Sequence, residues 1–212
     1  LVTGVQTCAL PIYITAAWLS EFEPYISTWD VGRRALESFV DEWWCYELAD
    51  RKAVGCSSGH VEMVANQYPY HAVCVTRSDN HGAAQGIYHE YAHLRLEAMG
   101  VMIETHDGTL LLNADTELYT SSVRSDKPRP MSAVLHGVYA WLMFTENDYQ
   151  LHARKKIFID ELILYSERNL TKIQKGIATI KEYGRFTPAG EDFIRGVYEW
   201  ADDLCARYAT LF

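Results

Sequence analysis

Two histidines four residues apart, His89 and His93, enclose Glu90-Tyr91-Ala92. On a helix this spacing sets both imidazoles on one face, one turn apart. A single divalent ion can bridge them with ligand bonds of about 2.0–2.1 Å. Glu90 lies beside that face, where a carboxylate can orient a ligand or reach an ion-bound water. Two side chains do not complete a site, since a zinc peptidase adds a third His or Glu and a non-haem iron site a third facial ligand. The extended pattern HExxHxxGxxH is not present, because Leu96 and Met99 stand at its Gly and His positions. Glu97, Glu104, Asp115 and Glu117 keep a thermolysin-like third ligand open. The other candidate is His136, in a run from Ala133 to Trp141 that is apolar on nearly every side. A lone imidazole there is either a ligand or a satisfied core residue. Gly137 beside it weakens the helix, which points to a close approach to the backbone.

These residues need elements to hold them. The β-branched and aromatic stretch Tyr70–Thr76 reads as a strand, followed by a polar turn, Arg77 to Gly82. A helix is then expected from about Ala84 to Met99, ended by Gly100. Upstream, Tyr13 to Thr28 reads as a helix, and Ala35, Phe39, Trp43 and Tyr46 at spacings of three to four predict a second from Val31 to Leu48. Gly55 to Gly59 reads as a loop. Asp107 to Lys127 is polar and irregular. Pro130 can open the next helix, running to Phe144, with further helices over Glu146–Glu167 and Leu170–Tyr183. Thr187-Pro188-Ala189-Gly190-Glu191 starts a last helix to Tyr208. The expected fold is mainly α, an α+β helical metalloprotein of one domain over 13–212 with a few short strands near the metal helix.

Composition bounds the function. With 49% hydrophobic residues the 212-residue chain has the make-up of a globular protein. A formal net charge of −9 repels phosphate backbones and argues against nucleic acid as a partner. Five cysteines, at 8, 45, 56, 74 and 205, form neither CxxC pairs nor an even framework, and are expected as buried thiols in a reducing cytoplasm. No apolar run reaches the roughly 18 residues that a membrane helix needs. Residues 1–12 resemble a translated sequencing adapter, so this segment is set aside from the fold reading, and the natural start is expected to lie elsewhere.

The blocks His89-Glu90-Tyr91-Ala92-His93-Leu94-Arg95-Leu96 and Lys127-Pro128-Arg129-Pro130-Met131-Ser132-Ala133-Val134-Leu135-His136-Gly137-Val138-Tyr139-Ala140 resemble the HExxH-motif peptide-modification proteins found with genes for ribosomally made, modified peptides. The resemblance covers about residues 86–99 and 127–144, with loose support at Thr187-Pro188-Ala189-Gly190, and says nothing of 13–80. It implies an iron(II)/2-oxoglutarate-dependent peptide β-hydroxylase acting on a precursor peptide. Three protein ligands, His89, His93 and His136, would leave three positions on an octahedral iron(II), two for the 2-oxo acid and one for O₂. The family block carries His or Gln at the position of His136. The distal carboxylate of 2-oxoglutarate needs a cation, and Arg129, stiffened by its flanking prolines, is the choice over an exposed loop role. Arg95 projects away from the histidine pair. Two other readings stand beside this one: a zinc metallopeptidase with Glu90 as general base, and a non-catalytic helical interaction protein. The sequence leaves the oligomeric state open.

Overall fold

The computed structural model describes residues 9–11, 16–48, 58–65, 68–76, 79–154 and 162–211. The chain is mainly helical with a small sheet. Its elements are β1 (Ala9–Pro11), α1 (Ala16–Ser27), α2 (Asp30–Glu37), β2 (Glu42–Leu48), β3 (Ser58–Ala65), β4 (Tyr68–Thr76), α3 (Asn80–Ala98), α4 (Met131–Ala153), α5 (Leu162–Tyr183) and α6 (Pro188–Ala209). No helix among the described residues is long and apolar enough to cross a membrane. The chain divides into two compact units, one formed by Leu1–Leu94 with Asn147–Ile159, the other by Arg95–Glu146 with Asp160–Phe212.

The first unit holds the sheet, in the order β1-β2-β4-β3. β2 and β4 run parallel, with Trp44 opposite Cys74, and β3 pairs antiparallel with β4. His71 to Thr76 are buried at every position, so both faces of this central strand are covered. Trp18, Phe22 and Ile26, which recur every four residues along α1, are all buried. Two expectations fail here. The helix expected over Val31–Leu48 stops at Glu37, and the chain turns into β2. The spacing of Phe39, Trp43 and Tyr46 suited a helix, but Glu42-Trp43-Trp44-Cys45-Tyr46 is aromatic-rich and finds a strand partner in β4. Ser58 and Gly59, expected in a loop, open β3, while 55–57 lie outside the described residues. Ala9–Pro11, from the segment set aside, pairs at the edge with β2, where Pro11 is tolerated.

The second unit packs α5 and α6 with the first two-thirds of α4. Ile173, Ile177 and Ile180 of α5 and Ile194, Val197, Ala201 and Leu204 of α6 give each helix a buried stripe. The start of α6 is as expected: the Thr187 hydroxyl accepts from the Gly190 amide at 3.0 Å, with Pro188 in the first turn. The break expected near Thr145 does not exist, for α4 runs unbroken from Met131 to Ala153. Thr145, Glu146, Asn147 and Asp148 look like a solvated helix end, yet all four are buried. Three have side-chain partners: Glu146 accepts from Trp200 and Arg207, Asn147 donates to the Tyr25 carbonyl, and Asp148 accepts from His81 and Gln85. The carbonyl of Thr145 accepts from the Tyr208 hydroxyl.

Candidate metal centre

α3 follows β4 after a short connection and begins four residues earlier than expected. The Asp79 carboxylate accepts from the Gly82 amide, and its carbonyl from the Ala83 amide at 3.0 Å, which satisfies donors of the first turn. The rotation of the helix in the first unit is set by its apolar face. Ala83, Ala84, Ile87, Tyr88, Tyr91 and Leu94 are buried, the Tyr88 hydroxyl donates to the Ile26 carbonyl at 2.9 Å, and Tyr91 meets Phe39 edge-on. With those positions turned inward, His89 and His93 share another face. Their rings are 4.6 Å apart and nearly perpendicular, and the two Nε2 atoms lie 3.0 Å from each other.

That separation is the test of whether the pair suits an ion. With ligand bonds of about 2.0–2.1 Å, two nitrogens at a right angle lie about 2.9 Å apart, and two at a tetrahedral angle about 3.3–3.4 Å. The 3.0 Å observed is near this range, so the two rings are close enough to serve as ligands of one ion. The same distance also suits an N–H of one neutral ring donated to the other. Glu90 is buried, and its Oε1 lies 4.0 Å from Nε2 of His89, whose side chain is 30% exposed. The pair therefore sits at the surface side of the helix with a carboxylate beside it. Among the described residues, no group of three or more His, Cys, Asp or Glu side chains is gathered so as to hold an ion.

The second unit holds the other expected residues. His136 is buried on α4, and its Nε2 lies 2.6 Å from the Val101 carbonyl. A carbonyl can only accept, so Nε2 carries a proton. A ligand histidine is commonly oriented by such a bond, and so is a core one. The close approach expected at Gly137 is there: a Cβ on this residue would lie 3.1 Å from the Val123 side chain. Arg129 is buried, not a free loop cation. Its Nη2 donates to both oxygens of Asp126, at 3.1 and 3.0 Å, and Nη1 lies 3.6 Å from Glu104. The bonds with Arg129 hold the Asp126 carboxyl below its usual range. The acidic candidates for a third ligand have other engagements in this unit. Asp115 stands 3.6 Å from His106, and Arg185 and Tyr119 bring Glu117 down to about 2. Arg95 packs its guanidinium over the Tyr139 ring, 5.9 Å from the centroid.

One constellation was not anticipated. His81, Gln85, His89 and His93 recur every four residues and form one stripe along α3. Two turns before the pair, His81 Nε2 lies 2.8 Å from Asp148 Oδ1, and Gln85 Nε2 donates to Oδ2 at 2.6 Å. Asp148 is fully buried. Burial disfavours a charge on His81, but the hydrogen bond and charge of Asp148, with Asp79 beyond, outweigh it and raise the ring above its ordinary pKa. The fourfold recurrence is visible in the sequence once the helix is started at Asn80; the partner at 148 is not, because its neighbours look like a helix end. No protein-family model matches this chain, and no curated protein matches it either.

Proposed function

We propose that the chain is a metal-dependent peptide-modifying enzyme, in which iron(II) and 2-oxoglutarate serve β-hydroxylation of a residue in a ribosomally made precursor peptide. The observation that supports the reading is the pair of ring nitrogens 3.0 Å apart on one turn of α3, close enough to share an ion. Bound iron(II), with O₂ and 2-oxoglutarate, would supply the oxidising power. His89 and His93 would hold the ion; a third ligand role for His136 is what the family resemblance implies, since no third His, Cys, Asp or Glu is gathered with the pair among the described residues. Glu90, buried with its carboxylate 4.0 Å from His89 Nε2, would stand beside the ion as a support to its other ligands. Arg129 grips the distal carboxylate of the co-substrate, and Asp126 fills that role until the acid arrives.

A second reading draws on Glu90, whose carboxylate stands 4.0 Å from His89 Nε2, where a zinc peptidase keeps its general base. Anaerobic reconstitution with iron(II), followed by succinate formation and mass analysis of a candidate peptide, separates the two. The hydroxylase gives succinate and a peptide heavier by one oxygen atom, both dependent on O₂. Cleavage of the peptide by zinc-loaded protein without O₂ installs the peptidase in its place.

A further inference from the structure

We propose that the face of α5 carrying Tyr165, Arg168, Lys172 and Lys175 is a docking surface for an acidic peptide segment. These residues recur at spacings of three and four, so they line one side of the helix. Lys172 Nζ lies 4.4 Å from the centroid of the Trp141 ring, and the Arg168 guanidinium 5.6 Å from the same ring and 5.0 Å from that of Tyr165. Two cations thus share one indole ring. Arg168 donates from Nε and Nη2 to the Asn169 side chain, which leaves Nη1 of the fork for a ligand. Among the described residues, no carboxylate stands within ion-pair distance of Arg168, Lys172 or Lys175. Arg129, Arg185, Arg195 and Arg207 of the same unit each have one.

Burial of the Lys172 ammonium, and then the charge of Arg168, hold it below its ordinary pKa, as expected for a cation without a counter-ion. The helix bears four basic residues, Arg168, Lys172, Lys175 and Lys181, and two acidic ones, Glu167 and Glu182, in a chain of net charge −9. Lys181 lies over Tyr198 and belongs to another face. Charges farther than the Debye length of about 8 Å are screened at physiological salt, so the local row and not the net charge governs what binds here. From Tyr165 to Lys175 the helix rises about 15 Å, which about five residues of extended chain span. Along such a chain, side chains on one side recur about every 6.8 Å, close to the rise between Arg168 and Lys172. The surface therefore fits a peptide with acidic side chains at alternate positions. The single narrow row disfavours a nucleic acid, whose phosphates need a broader basic field.

The inference stands apart from the metal reading, and its test needs neither iron nor turnover. A fluorescein-labelled peptide of alternating Glu and Leu is titrated with the full chain in the presence of a chelator, read by anisotropy at low and physiological salt. A Lys-Leu peptide and a single-stranded oligonucleotide are run beside it. The acidic peptide should bind best and weaken with salt. Arg168→Gln and Lys172→Met should each weaken it about two- to fivefold, and Arg168→Glu with Lys172→Glu about tenfold or more. The two neutral variants keep the stems that cover the rings, so they decide the matter if the charge reversal unfolds. Equal affinity of the neutral variants and the parent, failure of the acidic peptide to bind, or stronger binding of the oligonucleotide overturns the proposal.

Discussion

Replacing either histidine of the pair takes away one ring nitrogen of two that stand 3.0 Å apart, with little loss of core packing because neither residue is buried. His89→Ala and His93→Ala should each abolish stoichiometric iron, measured by elemental analysis after anaerobic loading, while circular dichroism keeps the parent's helix content. Normal iron in either variant removes that residue from the ligand set. Arg129 is tested by opposite changes on two sides of one contact. Arg129→Ala should raise the half-saturating 2-oxoglutarate concentration sharply with bound iron nearly unchanged, since on the proposed reading it would delete a charge-assisted bond to the acid. Asp126 holds the same guanidinium and is itself exposed, so Asp126→Asn should lower that concentration about two- to fivefold, as expected for a competing pair whose carboxylate is exposed. Succinate formation across a co-substrate series reads both, and parallel shifts of the two variants would show that Asp126 only props Arg129 in place. At this scale the sequence made the histidine pair legible, because spacing on a helix is a local property. Asp126 as the occupant of Arg129, and Val101 as the partner of His136, were not, because each depends on how an irregular segment folds back.

The elements divide along the same line. The regions of α3 and α6 could be read from their end signals: Gly100 takes a positive φ of 81° past the end of α3, and Thr187 caps α6. β2 and the unbroken α4 could not, since each is decided by partners far along the chain: β4 for the aromatic run, and Arg207, Trp200, Tyr25, His81 and Gln85 for the polar one. The tie of Asp148 to the first turns of α3 has a sign in pH. His81 is raised above its ordinary value of 6.5, so the folded form binds its proton more tightly than the unfolded one. Its contribution to stability is complete below about 6.5 and is lost as pH climbs through the raised value. Denaturation midpoints of the parent should therefore fall between slightly acid and mildly alkaline pH, and His81→Gln should flatten that slope. A slope unchanged in the variant would assign the dependence to another group.

On the scale of the whole chain, the division into units is not a division of the sequence. Asn147–Ile159 belongs with Leu1–Leu94, and Arg95–Glu146 with Asp160–Phe212. A fragment ending at Glu146 would lack Asp148, the partner of His81 and Gln85, and Asn147, which donates to Tyr25. Such a fragment should lack a cooperative thermal transition, whereas one extended through Ile159 should regain native-like protection of α3 amides in hydrogen exchange. A cooperative transition in the shorter piece would mean that those ties are dispensable. Within the second unit, the long irregular stretch between α3 and α4 hangs on one amide. Asn113 donates to the Tyr183 carbonyl at 2.9 Å and the Tyr119 hydroxyl at 2.8 Å, and accepts from the Arg185 amide at 2.8 Å, while its own carbonyl is 2.6 Å from His106. Aspartate, its nearest isostere, would set a second acceptor against the Tyr183 carbonyl, glutamine is one methylene too long, and leucine leaves three polar groups unanswered. In a library randomised at this codon and selected for folded product, position 113 should retain asparagine almost alone, while exposed Leu112 beside it admits most of the alphabet.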